Sequence, residues 1–262
     1  MKILIVGSTG MLGSTAKNYF SNVETLDRNE LDLSDCSYEQ LAIAIDRKRC
    51  DFVINCAGLI KQRSVKEYQM IAVNSVLPHK LSEICNTFGQ KMFHITTDCV
   101  FDGKKSVYNE ISKHTAQDVY GVSKSLGEPN DCMVIRTSII GEEKKNKLSL
   151  LEWVKKNKAS RIKGFTNHYW NGVTCLELCE VIDYIIKKDL YQQKLQHVFS
   201  NTVSKYELVN LINEIYNLHI DIEEYKTDQK CDRTLTTIHT KIETKSIQEQ
   251  IKLSKEFYEH IR

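Results

Sequence analysis

The chain opens MKILIVGSTGMLG, and this stretch constrains the fold more than any other. Ile3 to Val6 is continuously apolar and largely β-branched, which is the pattern of a strand covered on both faces. Such strands belong to parallel sheets, and parallel neighbours need a crossover connection, usually a helix. Gly7, Gly10 and Gly13 follow at once, and Leu12, Ala16 and Phe20 then recur at helical spacing. A buried strand, a glycine turn and a helix at the start predict an α/β chain with its first ligand edge at that turn.

The alternation continues. Val23 to Leu26 reads as a second strand, and LSDCSYEQLAIAIDRK opens with cap-type residues before Leu41 and Ile45 at helical spacing. CDFVINCAG is a third buried strand, the stretch from Lys66 to Gly89 a helix with a glycine stop, and KMFHITT a fourth strand. A helix carrying Tyr120 and Lys124 precedes a fifth strand in CMVIRTSIIG. The expected fold class is therefore α/β, a doubly wound parallel sheet. After Gly141 the pattern changes to three amphipathic helices (147–159, 174–190, 204–218) separated by strand-like pieces, with a polar tail and one terminal helix. The expected division is a dinucleotide-binding domain over 1–140 and a small mixed substrate cap over 141–262, with segments free to interleave.

Composition narrows the classes. A net charge of +2 over 262 residues carries no basic footprint for nucleic acid. Lys144, Lys145 and Lys147, and again Lys155, Lys156 and Lys158, read as solvated surface. The nine cysteines form no CxxC pair and no zinc spacing with histidine, so no metal is expected. Cys56, Cys85, Cys175 and Cys179 lie in apolar runs and suit buried thiols. The opening apolar run is too short for a signal peptide, and no run approaches the roughly 20 apolar residues of a membrane span. The expectation is a soluble, cytoplasmic protein with no membrane partner.

The glycine turn, Gly7, Thr9, Gly10, Met11, Leu12 and Gly13, suits a pyrophosphate at a helix N-terminus. Asp32 and Leu33, beyond the second strand, fall where an adenine is held. Asn55, Cys56, Ala57 and Gly58 end the third strand on the same carboxyl edge, and Asn74, Thr96 and Lys124 complete the expected cofactor wall. Asp27 suits a ribose 2′-hydroxyl and Arg28 a 2′-phosphate. NADPH is the expected cofactor, with NADH as the alternative.

VGSTGMLG, HITTDCVFDG, VYGVSK and VIRTS, in that order, resemble the extended short-chain dehydrogenase/reductases, and within them the dTDP-4-dehydrorhamnose reductase branch. The resemblance covers roughly residues 1 to 180 and implies a Rossmann sheet. It also implies a catalytic set: Tyr120 and Lys124 as YxxxK, with Thr97 preceding them and Asp98 beside it. The chemistry of those residue types agrees. Reducing a ketone takes a hydride from a nicotinamide and a proton from a general acid. A lysine one turn from a tyrosine is expected to lower the phenol's pKa from about 10. The related 4,6-dehydratases carry a second acid where this chain has Cys99, which points to reduction. The substrate side is expected to include Lys61, with Gln62 and Arg63 beside it, and Cys99, Val100, Phe101, Tyr169, Trp170 and Asn171.

The implied activity is NAD(P)H-dependent reduction of the C4 ketone of a nucleotide-linked 4-keto-6-deoxy sugar, dTDP- or UDP-linked and with room for a 2-acetamido group, in deoxysugar or glycan precursor synthesis. A homodimer is compatible with this class. Two alternatives stand beside it: a non-catalytic, cofactor-binding regulatory subunit of the same fold, and a bifunctional epimerase-reductase.

Overall fold

The computed structural model describes residues 1–61, 65–143 and 147–261. Gln62 and Arg63, and Lys144 and Lys145 of the first lysine cluster, lie outside the described residues. Five strands, β1 (Ile3–Val6), β2 (Val23–Leu26), β3 (Phe52–Asn55), β4 (Lys91–Thr97) and β5 (Met133–Thr137), form a parallel sheet with a sixth, Leu195–His197. The order across it is Leu195–His197, β5, β4, β3, β1, β2. The chain steps from β1 outward to β2, then returns to lay β3 on the other side of β1. The carboxyl ends of β1 and β3 therefore flank the switch point where open α/β sheets bind ligands.

Helices cover both faces, as the continuously buried strands require. On one face α1 (Met11–Tyr19) and the helix Cys175–Lys187 pack on Ile3, Ile5, Phe93 and Ile135. On the other, α2 (Tyr38–Lys48) and a longer helical stretch pack on Leu4, Val53, Met92 and Val134. Leu41 and Ile45, one turn apart on α2, are fully buried there, each contributing about 1.5–3 kcal/mol of apolar transfer. Ser37 begins α2 with a capping box to Gln40.

The stretch expected as one helix from Lys66 to Gly89 is broken into α3 (Glu67–Ile71), a π-turn at Ala72–Val76 and α4 (Leu77–Thr87). Pro78 gives the physical reason. It has no N–H to offer back to the Asn74 carbonyl, and that carbonyl lies so close to Gly127 that a Cβ there would meet it at 1.8 Å. Gly89 ends the stretch at φ +67°. A last helix of this half, α5 (Val119–Leu126), carries Tyr120 and Lys124.

The second half of the chain interleaves with the first. It lends the helix Cys175–Lys187 and the edge strand Leu195–His197 to the main sheet. The remainder packs around Leu151, Val154, Trp170, Leu208, Ile212 and Ile251. It includes a three-stranded sheet with His168–Trp170 between Val203–Ser204 and Cys231–Asp232. Among the described residues no helix is long and apolar enough to cross a membrane, and no cluster of His, Cys, Asp or Glu could hold a metal ion.

Candidate active site

The carboxyl edge of the sheet opens into a cleft of about 500 Å³. Its walls bring together Gly10, Met11 and Leu12 from the glycine turn, Cys56 to Lys61 after β3, Thr96 to Cys99 at the end of β4, and Tyr120 and Lys124 of α5. Four motifs separated along the chain thus meet at one place.

Each glycine of the turn has its own reason. Gly7 sits at φ +79°, and a Cβ there would stand 2.8 Å from the Ala57 backbone. A Cβ on Gly13 would approach the Gly7 carbonyl oxygen to 2.2 Å, so Gly13 lets α1 close onto the turn. At Gly10 a Cβ would meet protein only at 3.5 Å. Its bare backbone faces the cleft, leaving room for a ligand to approach. Gly10 caps α1 without a side-chain hydrogen bond, and the first turn of α1 contains no acid. The free N–H groups and positive end of that helix suit a diphosphate. Thr9 is exposed and does not border the cleft.

Other expected cofactor residues act from behind the wall. The Asn55 amide accepts from Ala57 N–H at 3.1 Å and meets His94 Nδ1 at 3.0 Å, which shapes the turn through Ala57 and Gly58. Asn74, fully buried in the π-turn, accepts from Leu59 N–H at 2.8 Å. It donates to the Leu59 carbonyl at 2.9 Å and to Ser123 Oγ at 3.1 Å. It clamps the loop after β3 onto α5. Thr96 borders the cleft, but its Oγ1 is buried and has no hydrogen-bond partner among the described residues. At the β2 edge, the Asp27 carboxylate accepts from Asn29 N–H at 2.8 Å. Arg28 is exposed and pairs with Asp32 at 3.7 Å, while Asp32 also holds Ser34. Leu33 packs half-buried against the α2 face.

Thr97 ends β4 and caps the short turn that follows, accepting from Cys99 N–H at 3.1 Å and donating to Asp98 Oδ1 at 3.2 Å. Asp118 caps α5 by accepting from Gly121 N–H, and it pairs with Lys61 at 2.9 Å across the cleft mouth. Lys124 is 5 % exposed and donates to the Ile95 carbonyl at 2.9 Å. Burial pulls its ammonium down to about 8, with Glu128 pushing the other way. The expected lowering of Tyr120 does not occur. Burial raises its phenol well above the usual tyrosine range, and Cys99 adds to this while the Thr97 hydroxyl opposes it. Burial is the largest influence on the phenol, and the Lys124 ammonium is hydrogen-bonded to the Ile95 carbonyl. Burial likewise raises Asp98, against the pull of Arg233 and Lys205, and pushes the Cys99 thiol up to about 12.

The structure places part of the expected substrate set away from the cleft wall. Val100 and Phe101 are fully buried, and Phe101 stacks on Tyr108 with ring centroids 4.1 Å apart and lies under the Arg136 guanidinium. They form the back of the β4 turn because the turn directs Thr97 to Cys99 outward and the next two residues into the core. Tyr169, Trp170 and Asn171 are not among the residues bordering the cleft. Tyr169 and Trp170 carry the ammonium groups of Lys230 and Lys205 over their rings. Asn171 is buried and holds Leu235 through two backbone hydrogen bonds of 2.8 and 2.9 Å. Lys61 and Cys99 do border the cleft.

Beside them the fold supplies residues outside the expected set, of which only Ser138, the end of VIRTS, lies in a quoted motif. Ser138, Glu143, Leu148 and Leu150 border the cleft, and so does Arg233. Arg233 lies on a strap, residues 231–238, that crosses from the cap sheet to the back of the β4 turn. Its Nε donates to the Phe101 carbonyl at 2.8 Å. Burial works against its charge, and the Cys99 and Cys231 thiols with Asp98 and Asp118 more than offset this.

Comparison with known proteins agrees with this architecture. The sequence model of the RmlD substrate binding domain matches residues 1–261. A dTDP-4-keto-6-deoxy-D-glucose reductase of Streptomyces niveus is 27% identical over 151 residues, 52% of this chain and 51% of that protein. The chain spans about half the length of most curated relatives it matches. A methionine adenosyltransferase 2 subunit beta of Danio rerio is 23% identical over 255 residues, 83% of this chain and 74% of that protein. Among solved structures, a dTDP-4-dehydrorhamnose reductase of Bacillus anthracis in complex with NADP superposes with a TM-score of 0.82 at 19% identity, covering 100% of this chain and 99% of the other.

Proposed function

The chain belongs to the RmlD substrate binding domain family, and from that premise we propose that it is an NADPH-dependent reductase of the C4 ketone of a nucleotide-linked 4-keto-6-deoxy sugar, dTDP- or UDP-linked. Residues 1–140 with the strand Leu195–His197 hold the cofactor, and the rest of the chain after 141 holds the substrate. The observation that carries this is the meeting of Thr97, Tyr120 and Lys124 with the glycine turn around one cleft.

The glycine turn fits a dinucleotide, with Gly7 and Gly13 letting the turn and α1 close, Gly10 leaving room for the diphosphate, and the start of α1 facing its charge. Arg28, exposed at the end of β2, favours the 2′-phosphate of NADPH. When bound, the reduced nicotinamide supplies a hydride to the carbonyl carbon. The chain's own residues manage the oxygen. Tyr120, kept protonated by its buried site, donates its proton to the developing alkoxide. The Thr97 hydroxyl, which in the free protein donates to Asp98, turns its proton to the same oxygen and orients it. Lys124, one turn below, places a positive charge behind the phenol and is fixed by the Ile95 carbonyl. Arg233 and Lys61, at the mouth, suit the diphosphate that links nucleotide to sugar.

The test is ketone-dependent NADPH oxidation with dTDP- and UDP-linked 4-keto-6-deoxy sugars. Tyr120→Phe should reduce turnover at least about a hundredfold with NADPH binding unchanged. Equal turnover in the variant rejects Tyr120 as the proton donor. The similarity to the methionine adenosyltransferase subunit over 83% of the chain favours one second reading, a cofactor-binding regulatory subunit. Tight NADPH binding, no turnover of any such sugar and a stoichiometric enzyme partner would select it.

A further inference from the structure

The proposed chemistry leaves the end of β4 one proton short. The Thr97 hydroxyl has a single proton to give and two lone pairs to receive. One lone pair takes the Cys99 N–H at 3.1 Å, and the proton goes to Asp98 Oδ1 at 3.2 Å. Reduction asks for that proton at the ketone oxygen. Once it turns there, Thr97 Oγ1 and an ionised Asp98 Oδ1 face each other as two acceptors at hydrogen-bond distance, which is repulsive. The contact survives only if Asp98 brings a proton of its own. That proton fills the second lone pair of Thr97. The hydroxyl is then fully used, with two donors behind it and the ketone in front.

The surroundings of Asp98 favour the protonated form. Asp98 borders the cleft and is 5 % exposed. Arg233 on the strap and Lys205, first residue of the helix Lys205–Tyr216, are the charges that favour its ionised form. Among the described residues neither forms a salt bridge with it. Arg233 Nε donates to the Phe101 carbonyl at 2.8 Å, and the Lys205 ammonium lies over the Trp170 ring, 5.0 Å from its centroid. From α5 Asp98 faces the Tyr120 phenol and from its own turn the Cys99 thiol, and burial keeps both protonated. The Ser138 hydroxyl, beyond β5, reaches the same carboxyl. The other charged groups of the cleft wall are engaged elsewhere: Lys61 with Asp118, Lys124 with the Ile95 carbonyl, and Glu143 with the N–H groups of Leu148 and Ser149. Burial therefore dominates and raises the carboxyl above the usual aspartate range.

We propose that Asp98 is a positioning residue for the reduction: holding a proton while the cofactor fills the cleft, it donates to Thr97 Oγ1 and so aims the Thr97 hydroxyl at the ketone oxygen. This rests on the reading of the cleft as a ketoreductase site and adds what directs its second hydrogen bond. No proton of the pair is consumed. The hydride goes to the carbonyl carbon, the Tyr120 proton goes to the oxygen, and Asp98 and Thr97 keep theirs. Loss of the Asp98 proton turns the Thr97 hydroxyl back onto the carboxylate and withdraws it from the ketone. The site thus carries a basic limit of its own besides that of Lys124.

Two measurements test this, the first without turnover. Infrared difference spectra of the NADP⁺ complex, wild type minus Asp98→Asn, follow the protonated carboxyl band of Asp98 against pH. The band should be present at neutral pH and vanish only well above the ordinary carboxylate range. Its absence at neutral pH overturns the inference. The second measurement is the pH profile of ketone-dependent NADPH oxidation, with kcat and KM separated. Asp98→Ala should lower kcat about tenfold with KM little changed, the scale of one hydrogen bond. Asp98→Asn, whose amide N–H is a donor at every pH, should recover most of that loss. Wild-type kcat should fall with rising pH through deprotonation of both Asp98 and Lys124, and that of Asp98→Asn through Lys124 alone. In a Thr97→Val background the difference between aspartate and asparagine should vanish, which a purely structural role for Asp98 does not give. Undiminished kcat in Asp98→Ala overturns the inference. So does a pH profile shared by wild type and Asp98→Asn, or a difference that persists without the Thr97 hydroxyl. Absence of turnover with every such sugar, beside an Asp98 band at neutral pH, would instead overturn the reductase assignment and leave the Asp98 proton standing.

Discussion

At the scale of single residues, Lys124 is the most sharply defined group in the cleft. Its ammonium would titrate near 10.5 in water and is drawn to about 8 by burial, with Glu128 opposing. Under the proposed chemistry the charged form is the useful one, so turnover should fall as pH rises through about 8. Glu128→Gln should move that limb to lower pH, since it removes the one carboxylate that favours the charge. The effect on stability has the opposite slope. Folding depresses this pKa, so the group's contribution is fully present above about 10.5 and is lost as pH falls through about 8. The span corresponds to about 3 kcal/mol. Lys124→Met should therefore be more stable than wild type at pH 7 and lose that advantage by pH 11. Urea midpoints at the two pH values check this, and a constant difference between the proteins would show that Lys124 is not desolvated in the folded state.

At the scale of elements, the π-turn between α3 and α4 links two motifs that the sequence keeps 65 positions apart, Leu59 and Lys124. Asn74 reaches Leu59 with two hydrogen bonds and Ser123 with a third, from a fully buried position. Asn74→Ala leaves the Leu59 N–H and carbonyl without partners and should cost about 2–3 kcal/mol. Because the loop after β3 and α5 then move independently, NADPH affinity and turnover should both fall. Intact NADPH affinity in a folded variant would locate the clamp away from the cofactor wall. This element also marks a limit of reading from sequence. The strands were legible because Ile3 to Val6 and Met92 to Ile95 are buried on both faces, and the helix starts because Ser37 and Ser204 carry their capping partners three residues on. The bulge was not, because it follows from where the Asn74 carbonyl meets Gly127, a contact across the fold. For the same reason what Asn55 and Asn74 do was not legible, because only packing turns their amides onto Ala57, His94, Leu59 and Ser123.

At the scale of the molecule, the cleft is closed by chain that runs far from the motifs that built it. Thr97, Tyr120, Lys124 and the glycines were legible because each lies within a short pattern. Arg233 was not, because it reaches the cleft from a cap sheet whose strands are two or three residues long. The strap from 231 to 238 is fixed at several points. Asp232 N–H donates to the Gly103 carbonyl at 2.8 Å, Tyr108 N–H to the Thr234 carbonyl at 2.9 Å, and Asn171 grips Leu235 from both sides. Behind it the buried Arg136 binds Glu128 and His197, and His197 Nδ1 donates to the Thr236 carbonyl. The same buried group thus supports both the end of α5 and the strap, which ties the catalytic helix to the wall that carries Arg233. If the two halves have the separate roles proposed, loosening the strap should affect one ligand alone. Asn171→Ala removes both contacts to Leu235 without touching the glycine turn. It should weaken binding of dTDP or UDP about three- to tenfold, through misplacement of Arg233, while NADPH affinity remains at the wild-type value. Calorimetric titration of each ligand separately reads the two effects. An equal loss for both would mean that the strap stabilises the whole cleft, and that cofactor and substrate sides are not separable by residue 171.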